Sequence, residues 1–188
     1  MASRLCELDA EENVLISRED VWKNQRLAGL VKRYHTWPVI REQNVAEHSF
    51  HIMRIYLTLF PNKMSLNVWE YILRHDMPEQ TTGDPPYPIK LRFPALRPIY
   101  DTMEAVAAES QGWKMPEVTS EQRRLIKICD MIEMWEFGME EVAKGNAFAE
   151  CIVQSVGEWL GKESSEAGVF EIVLSHIGNM SRMMQRGS

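Results

Sequence analysis

The sequence predicts an all-α protein, a bundle of helices around an apolar core. Apolar residues recur at spacings of three and four positions in several segments, and Pro, Gly and Asn separate those segments. No segment shows the sustained alternation of apolar and polar residues that is typical of a half-buried strand. With 188 residues and 45% apolar content, the chain suits one domain over residues 1–188 with a substantial core.

Seven helices are expected, at about 17–32, 45–60, 66–76, 97–111, 120–143, 147–161 and 166–184. The second helix begins after Asn44, a favourable cap, and Glu47 at its third position predicts reciprocal capping. It is apolar on all sides up to Pro61, which predicts a buried core helix. The third helix begins after Ser65 and ends near Pro78, because proline disfavours a helical conformation in the residue before it.

The remaining elements follow from the same signals. The stretch 80–98 is rich in proline and predicts a semi-rigid loop or wall between the third and fourth helices. The long helix at 120–143 carries Asp130 among apolar residues. In the last helix, Met180, Met183 and Met184 fit a packing face, with an oligomer contact as the alternative.

A candidate metal site is formed by His48, the adjacent pair His75 and Asp76, and Asp130. Two imidazoles and two carboxylates suit Zn²⁺, Co²⁺, Mn²⁺ or Fe²⁺ rather than an all-oxygen Ca²⁺ site. A carboxylate in the apolar surroundings of Asp130 costs several kcal/mol unless it is paired or binds a metal. Such a set leaves coordination positions open for water and substrate, which predicts a catalytic metal and hydrolysis.

Composition narrows the function further. The net charge of −6 opposes the coating of a nucleic acid, which needs a broad basic face. No run of about 18 apolar residues predicts a membrane span, and no signal-peptide core is present at the start, so we expect a cytoplasmic protein. The cysteines at 6, 129 and 151 follow no disulfide pattern and indicate reduced thiols. Cys129 is expected to be a core residue, because helix geometry turns it about 100° away from Asp130.

Several short motifs, spread over about residues 25–145, resemble one family of enzymes. They are Arg33-Tyr34-His35-Thr36, Arg41, Asn44-Val45-Ala46-Glu47-His48-Ser49, Arg74-His75-Asp76-Met77-Pro78-Glu79, Thr82-Gly83-Asp84-Pro85-Pro86-Tyr87-Pro88-Ile89-Lys90 and Ile126-Lys127-Ile128-Cys129-Asp130. The chain resembles the HD-domain phosphohydrolases of the bacterial 5′-deoxynucleotidase type. Within them it is similar to the phage dATP phosphohydrolases associated with 2-aminoadenine genomes. The resemblance implies an HD-domain helical bundle with the metal site between core helices.

The resemblance also implies roles for charged residues. Glu79, three residues beyond Asp76, would orient or deprotonate the attacking water or protonate the leaving group. Asp84 would be a second acidic residue, which assists protonation or holds an additional Mg²⁺, Mn²⁺ or Co²⁺ ion with the substrate phosphates. Arg33 matches the family's phosphate-binding arginine, and Lys90 would have a related part. Lys127 and Arg41 are further candidate cations.

Selectivity is expected to depend on aromatic and proline residues. Tyr34 stands where the bacterial deoxynucleotidases have a tryptophan that packs against the sugar and disfavours a 2′-hydroxyl. Trp37 and the proline-rich wall would flank the base or merely pack the loop. Pro88 would lie against position 2 of the purine and leave no room for the exocyclic amine of guanine or 2-aminoadenine. His51 and His35 are interpreted as supporting or structural residues, and no role is predicted for His176.

These observations predict a metal-dependent hydrolase that removes 5′-phosphates from deoxynucleotides, with dATP and its precursors favoured. The partners expected are this small-molecule substrate and other copies of the chain in a homo-oligomer, with no nucleic acid or membrane. For a phage-encoded protein the location would be the host cytoplasm. Three alternatives stay open: a broad 5′-deoxynucleoside monophosphatase, a cyclic-nucleotide phosphodiesterase and a non-catalytic nucleotide-sensing module.

Overall fold

The computed structural model describes residues 18–84 and 92–186, with side chains over 19–84 and 92–183. These ranges form α1 (Arg18–Ala28), α2 (Val45–Leu59), α3 (Leu66–Arg74), α4 (Glu79–Thr82), α5 (Arg97–Ser110), α6 (Ser120–Ala143), α7 (Glu150–Glu166) and α8 (Phe170–Arg186). Three 3₁₀ turns lie at Pro61–Lys63, Pro94–Leu96 and Ala147–Ala149. The described ranges contain no β-strand, only an isolated antiparallel bridge between Lys32 and Asn44. The predicted all-α class is confirmed.

The central helix is α6, which packs against α7, α2, α8 and α3. It begins with a capping box, in which the Thr119 side chain accepts from the Gln122 amide and the Gln122 side chain accepts from the Thr119 amide. Its side chains Ile128 and Ile132 are fully buried. Each such side chain stabilises the fold by about 1.5–3 kcal/mol relative to an exposed one. Cys129 is also fully buried, as expected of a core residue.

The second helix differs in part from its prediction. Asn44 caps it as expected, since its side chain accepts from the Glu47 amide at 2.9 Å. The Glu47 carboxylate, which was expected to accept from the Asn44 amide, pairs with Arg41 instead. The expectation that α2 is buried on all sides is wrong, since Phe50 is 66% exposed and Leu57 is 48% exposed. The reason is that α2 packs mainly on α6 and α3, which cover one face.

Several helices begin or end at residues other than those predicted, because local hydrogen bonds outweigh the hydrophobic periodicity. The predicted helix at 17–32 ends at Ala28, because Lys32 pairs with Asn44 in the bridge. The two last predicted helices begin three and four residues later than expected, at Glu150 and Phe170. Before Glu150 the chain forms a 3₁₀ turn that the Asn146 side chain caps.

The prediction of a loop over 80–98 is wrong at both ends. Residues 80–82 belong to α4, which begins directly after Pro78. Pro94 begins a 3₁₀ turn and Pro98 lies in the first turn of α5. Proline is tolerated at the start of a helix because the amide it lacks has no intrahelical partner there. Residues 85–91 lie outside the described residues. None of the described helices combines the length and the apolar character that crossing a bilayer requires.

Candidate metal centre and active site

Three helices bring the predicted ligands together. His48 lies in the first turn of α2, His75 caps the end of α3 and Asp76 follows it, and Asp130 lies in the middle of α6. The Nε2 atom of His48 is 3.3 Å from a carboxylate oxygen of Asp76 and 3.3 Å from one of Asp130. The Nε2 atom of His75 is 3.3 Å from the other oxygen of Asp76. His48, His75 and Asp76 therefore form a group that could hold a metal ion, and Asp130 adjoins this group through His48.

Hydrogen bonds at the Nδ1 atoms orient both imidazoles. His48 Nδ1 lies 2.6 Å from Oε2 of Glu133, and His75 Nδ1 lies 2.7 Å from the carbonyl oxygen of Ile72. Each Nδ1 therefore donates a proton in the neutral ring, which leaves the lone pair on Nε2. Within the described residues, both Nε2 atoms are buried and have no hydrogen-bond partner. Two such nitrogens beside two carboxylates fit a divalent ion such as Zn²⁺.

Cations balance the two partly buried carboxylates, Asp76 and Asp130. Burial alone would raise the pKa of Asp76, but His75, His48 and Arg33 hold it well below its usual range. Arg33 Nη1 lies 2.6 Å from Asp76 Oδ2. The pKa of Asp130 is likewise lowered against burial, first by Lys127, whose Nζ lies 2.6 Å from Asp130 Oδ2. Both carboxylates are therefore ionised at neutral pH.

Glu133 is a site residue that was not predicted from the sequence. It is 2% exposed and lies one turn after Asp130 on the same face of α6. Besides meeting His48, its carboxylate accepts from Gln43 Nε2 at 2.6 Å. The backbone carbonyl of Gln43 in turn accepts from the amide of Arg33 at 2.9 Å. An acidic residue three positions after Asp130, within an apolar stretch, is the signal that could have found it.

The two predicted acidic residues, Glu79 and Asp84, follow the ligand pair His75-Asp76 closely in the sequence. Glu79 begins α4, and its amide donates to the carbonyl of Asp76 at 3.1 Å. Its side chain is buried, with 5% exposed. Asp84 is half-buried and follows Gly83, whose φ of 73° lies in the left-handed region that favours glycine. Glu79 thus lies in the turn that follows Asp76 directly in the sequence.

The aromatic residues near Arg33 form a distinct arrangement. The Tyr34 ring stacks on Phe137, with centroids 4.4 Å apart and planes 3° from parallel. Burial raises the pKa of the Tyr34 hydroxyl well above its usual value, so the hydroxyl is neutral. Trp37 is half-buried, and its amide donates to the Tyr34 carbonyl at 2.9 Å. The remaining predicted substrate residues, Pro88 and Lys90, lie outside the described residues.

Other candidate residues have structural partners. Arg41 pairs with Glu47 and Glu140, so its charge is already engaged by two carboxylates. His51 Nε2 lies 3.7 Å from Glu47, next to His48 in sequence. His35 is exposed. The Glu47 contact agrees with a supporting part for His51, whereas the exposure of His35 gives no support for one. The two ion pairs of Arg41 do not favour it as a substrate cation.

The sequence also matches a known protein family. The model of the 5′-deoxynucleotidase YfbR-like family matches residues 25–170. The chain belongs to this family. Among curated relatives, the 5′-deoxynucleotidase VV1113 of Vibrio vulnificus is 27% identical over 141 residues, which are 62% of this chain and 73% of the relative. The 5′-deoxynucleotidase of Vibrio atlanticus is 27% identical over 161 residues, or 72% of this chain and 82% of the relative.

A solved structure supports the fold that the YfbR-like family implies. The HD phosphohydrolase DatZ of cyanophage S-2L, bound to dA and one catalytic Zn²⁺ ion, superposes with a TM-score of 0.68 at 21% identity. The superposition covers 87% of this chain and 96% of the cyanophage protein. The chain therefore has the HD-domain fold, and as a member of the YfbR-like family it is a hydrolase.

Proposed function

We propose that this enzyme removes 5′-phosphates from deoxynucleotides with the help of one divalent ion held by His48, His75, Asp76 and Asp130. The favoured substrates are dATP and its precursors dADP and dAMP. The observation that carries the proposal is the grouping of His48, His75 and Asp76, with Asp130 3.3 Å from His48 Nε2 and with hydrogen bonds at both Nδ1 atoms that orient the imidazoles. Zn²⁺ is the preferred ion because the ligand set suits it and the cyanophage protein holds Zn²⁺.

The bound ion would supply Lewis-acid polarisation of the phosphoryl group and activation of water. Charged side chains of the protein would bind the substrate phosphates. Arg33 is 8% exposed and its pKa is raised by Asp76 and neighbouring acidic groups despite burial, so its guanidinium is a permanent cation beside the centre. It would bind phosphate oxygens of the substrate. Lys127, whose side chain is 53% exposed, would provide a second cation on the Asp130 side.

Proton transfer is assigned to Glu79 and Asp84, which follow the ligand pair His75-Asp76 in the sequence. Glu79 would hold the attacking water and accept its proton, or donate a proton to the leaving group. Its burial in the turn after Asp76 supports this role, because a buried carboxylate has a restricted orientation. Asp84 would assist protonation or help to hold an additional ion with the phosphates.

Selectivity for the deoxyribose is assigned to Tyr34, and selectivity for adenine to Pro88. Packing of Tyr34 against C2′ would force a ribonucleotide to clash or to bury an unpaired hydroxyl. Pro88 would exclude an exocyclic amine at position 2 of a purine because it offers no acceptor. Trp37 would contribute to the wall against the base. The dA bound to the cyanophage protein supports the preference for adenine.

A broad 5′-deoxynucleoside monophosphatase is the second candidate function. It is favoured by the curated relatives, which are named 5′-deoxynucleotidases without a stated base. The two candidates share the metal centre and differ in base range and in the number of phosphates accepted.

One experiment separates them. Metal-loaded protein is incubated with each dNTP, dNMP and rNTP, and the products are identified by chromatography. We expect conversion of dATP and dAMP, slow conversion of ATP and little conversion of dGTP. Equal rates on dAMP, dGMP, dCMP and dTMP would favour the broad monophosphatase. No dephosphorylation of any deoxynucleotide would contradict both candidates.

A further inference from the structure

The backbone of Tyr34 is held in a conformation that a bulky L-residue disfavours. Its φ is 56°, and it is the one non-glycine position with positive φ among residues 18–84 and 92–186. Such a conformation persists only where the surroundings over-determine it, and it concentrates at functional sites. Tyr34 follows Arg33, whose guanidinium binds Asp76, so the strained residue lies beside the metal centre.

Backbone bonds fix the chain on both sides of Tyr34. The Arg33 amide donates to the Gln43 carbonyl at 2.9 Å, and the Trp37 amide donates to the Tyr34 carbonyl at 2.9 Å. These two bonds locate the segment but do not hold the tyrosine ring. The ring is held by its parallel stacking on Phe137 at 4.4 Å.

Phe137 itself is fixed from two directions. It is 2% exposed and lies on α6 one turn beyond Glu133, so the helix that carries the metal-site carboxylates also carries this ring. The guanidinium carbon of Arg41 lies 5.3 Å from the Phe137 ring centroid, and Glu47 and Glu140 hold Arg41 there. Phe137 therefore supports the Tyr34 ring from the same helix that carries Asp130 and Glu133.

The hydroxyl of Tyr34 provides a second observation. It is buried and interacts with Arg33, whose guanidinium pairs with Asp76. The polar end of Tyr34 therefore faces the cation that is proposed to bind the substrate phosphates. The strained backbone and this interaction both associate Tyr34 with the proposed substrate site.

We propose that Phe137 is a positioning residue that holds Tyr34 in its left-handed conformation and thereby sets the discrimination between deoxyribonucleotides and ribonucleotides. The inference rests on the proposed function, in which Tyr34 contacts the sugar. Without the ring of Phe137, Tyr34 can relax away from C2′, and the 2′-hydroxyl of a ribonucleotide is no longer excluded.

The test compares Phe137→Met and Phe137→Leu, which remove the ring, with Phe137→Tyr, which keeps it. Trp135→Phe is the matched control, because Trp135 is a buried aromatic residue on another face of α6. For each variant, the specificity constants for dATP and ATP, the bound metal and the melting temperature are measured. We expect the dATP-to-ATP ratio to fall by about tenfold in Phe137→Met and Phe137→Leu, a size typical of packing effects on specificity. The metal content should stay at the wild-type level.

Phe137→Tyr and Trp135→Phe should keep the wild-type ratio, whatever their stability. An unchanged ratio in Phe137→Met or Phe137→Leu, in protein that is folded and metal-loaded, overturns this inference and leaves the proposed function standing. A ratio that falls equally in Trp135→Phe overturns it as well, since the effect would then follow stability alone. Failure of the wild type to hydrolyse dATP contradicts the proposed function and this inference together.

Discussion

The Nδ1 atom of His48 lies 2.6 Å from a carboxylate oxygen of Glu133, and this bond determines which nitrogen of the imidazole faces the metal centre. Glu133 is itself held by Gln43, so the orientation of His48 depends on a chain of buried contacts. Carboxylates in this position fix the tautomer of a metal-binding histidine and raise its basicity.

Replacing Glu133 should therefore weaken metal binding without removing a ligand. We expect Glu133→Gln to lower the affinity for Zn²⁺ by about 10–100-fold, measured by competition with a chelator. Glu136→Gln is the control, because Glu136 is also buried on α6 but binds His176 at 2.7 Å instead. An equal loss of affinity in both variants would show that burial of the carboxylate, rather than its contact with His48, is responsible.

Removing a proposed ligand should have a larger effect. We expect His75→Ala and Asp130→Ala each to lose tight metal binding and hydrolysis, because the ion would be under-coordinated. Bound metal after gel filtration and release of deoxyadenosine or phosphate are the measurements. Full metal content with normal turnover in either variant would refute the assignment of that residue.

Replacing Glu79 should slow turnover and leave metal binding unchanged. Glu79→Gln keeps the shape of the side chain but removes its capacity to accept a proton. Metal content should remain at the wild-type level while turnover falls by about 10²–10⁴-fold. An unchanged rate on dATP would exclude Glu79 from proton transfer.

The ring and the hydroxyl of Tyr34 can be separated by substitution. Burial of an unpaired 2′-hydroxyl would cost about 1–3 kcal/mol, and we expect the wild type to favour dATP over ATP by roughly tenfold to a hundredfold in specificity constant. Tyr34→Ala should bring the two constants together, whereas Tyr34→Phe should retain most of the preference because the ring remains. Loss of preference in Tyr34→Phe would assign the discrimination to the hydroxyl instead.

Glu141 should make stability depend on pH at a position outside the metal centre. Its carboxylate accepts from the amides of Ile40 at 2.6 Å and Arg41 at 3.0 Å, and from Asn146 Nδ2 at 2.8 Å. Burial alone would raise its pKa, but these three donors lower it below the unfolded value. Its stabilising contribution is therefore complete above the unfolded pKa of about 4.3 and is lost as pH falls through the folded pKa.

Denaturant unfolding of the wild type and Glu141→Gln tests this sign. At pH 7 the variant should be less stable by about 1–3 kcal/mol, because hydrogen bonds to a charged acceptor are lost. The difference should narrow as pH falls below 4. A difference that grows on acidification would contradict the lowered pKa of Glu141.

The sequence was sufficient for the all-α class and for the approximate positions of most helices, because hydrophobic periodicity and cap residues act locally. It also placed His48, His75 and Asp76, which the structure brings together, among the candidate ligands. It was not sufficient for Glu133, whose importance depends on a contact with a residue 85 positions away. Nor could it reveal the stacking of Tyr34 on Phe137, which requires the packing of a loop against α6. The boundaries near Pro94 and Pro98 were misjudged because proline both interrupts and begins helices.

A metal titration of hydrolysis tests the central claim most directly. Metal-free protein is supplied with increasing amounts of Zn²⁺, and the rate of dATP dephosphorylation is measured at each ratio of ion to chain. We expect no activity without metal and a rise in rate that ends at one tightly bound ion per chain, with His75→Ala inactive at the same ratios. Full activity in metal-free protein, or the same titration curve for His75→Ala, would contradict a catalytic metal at this site.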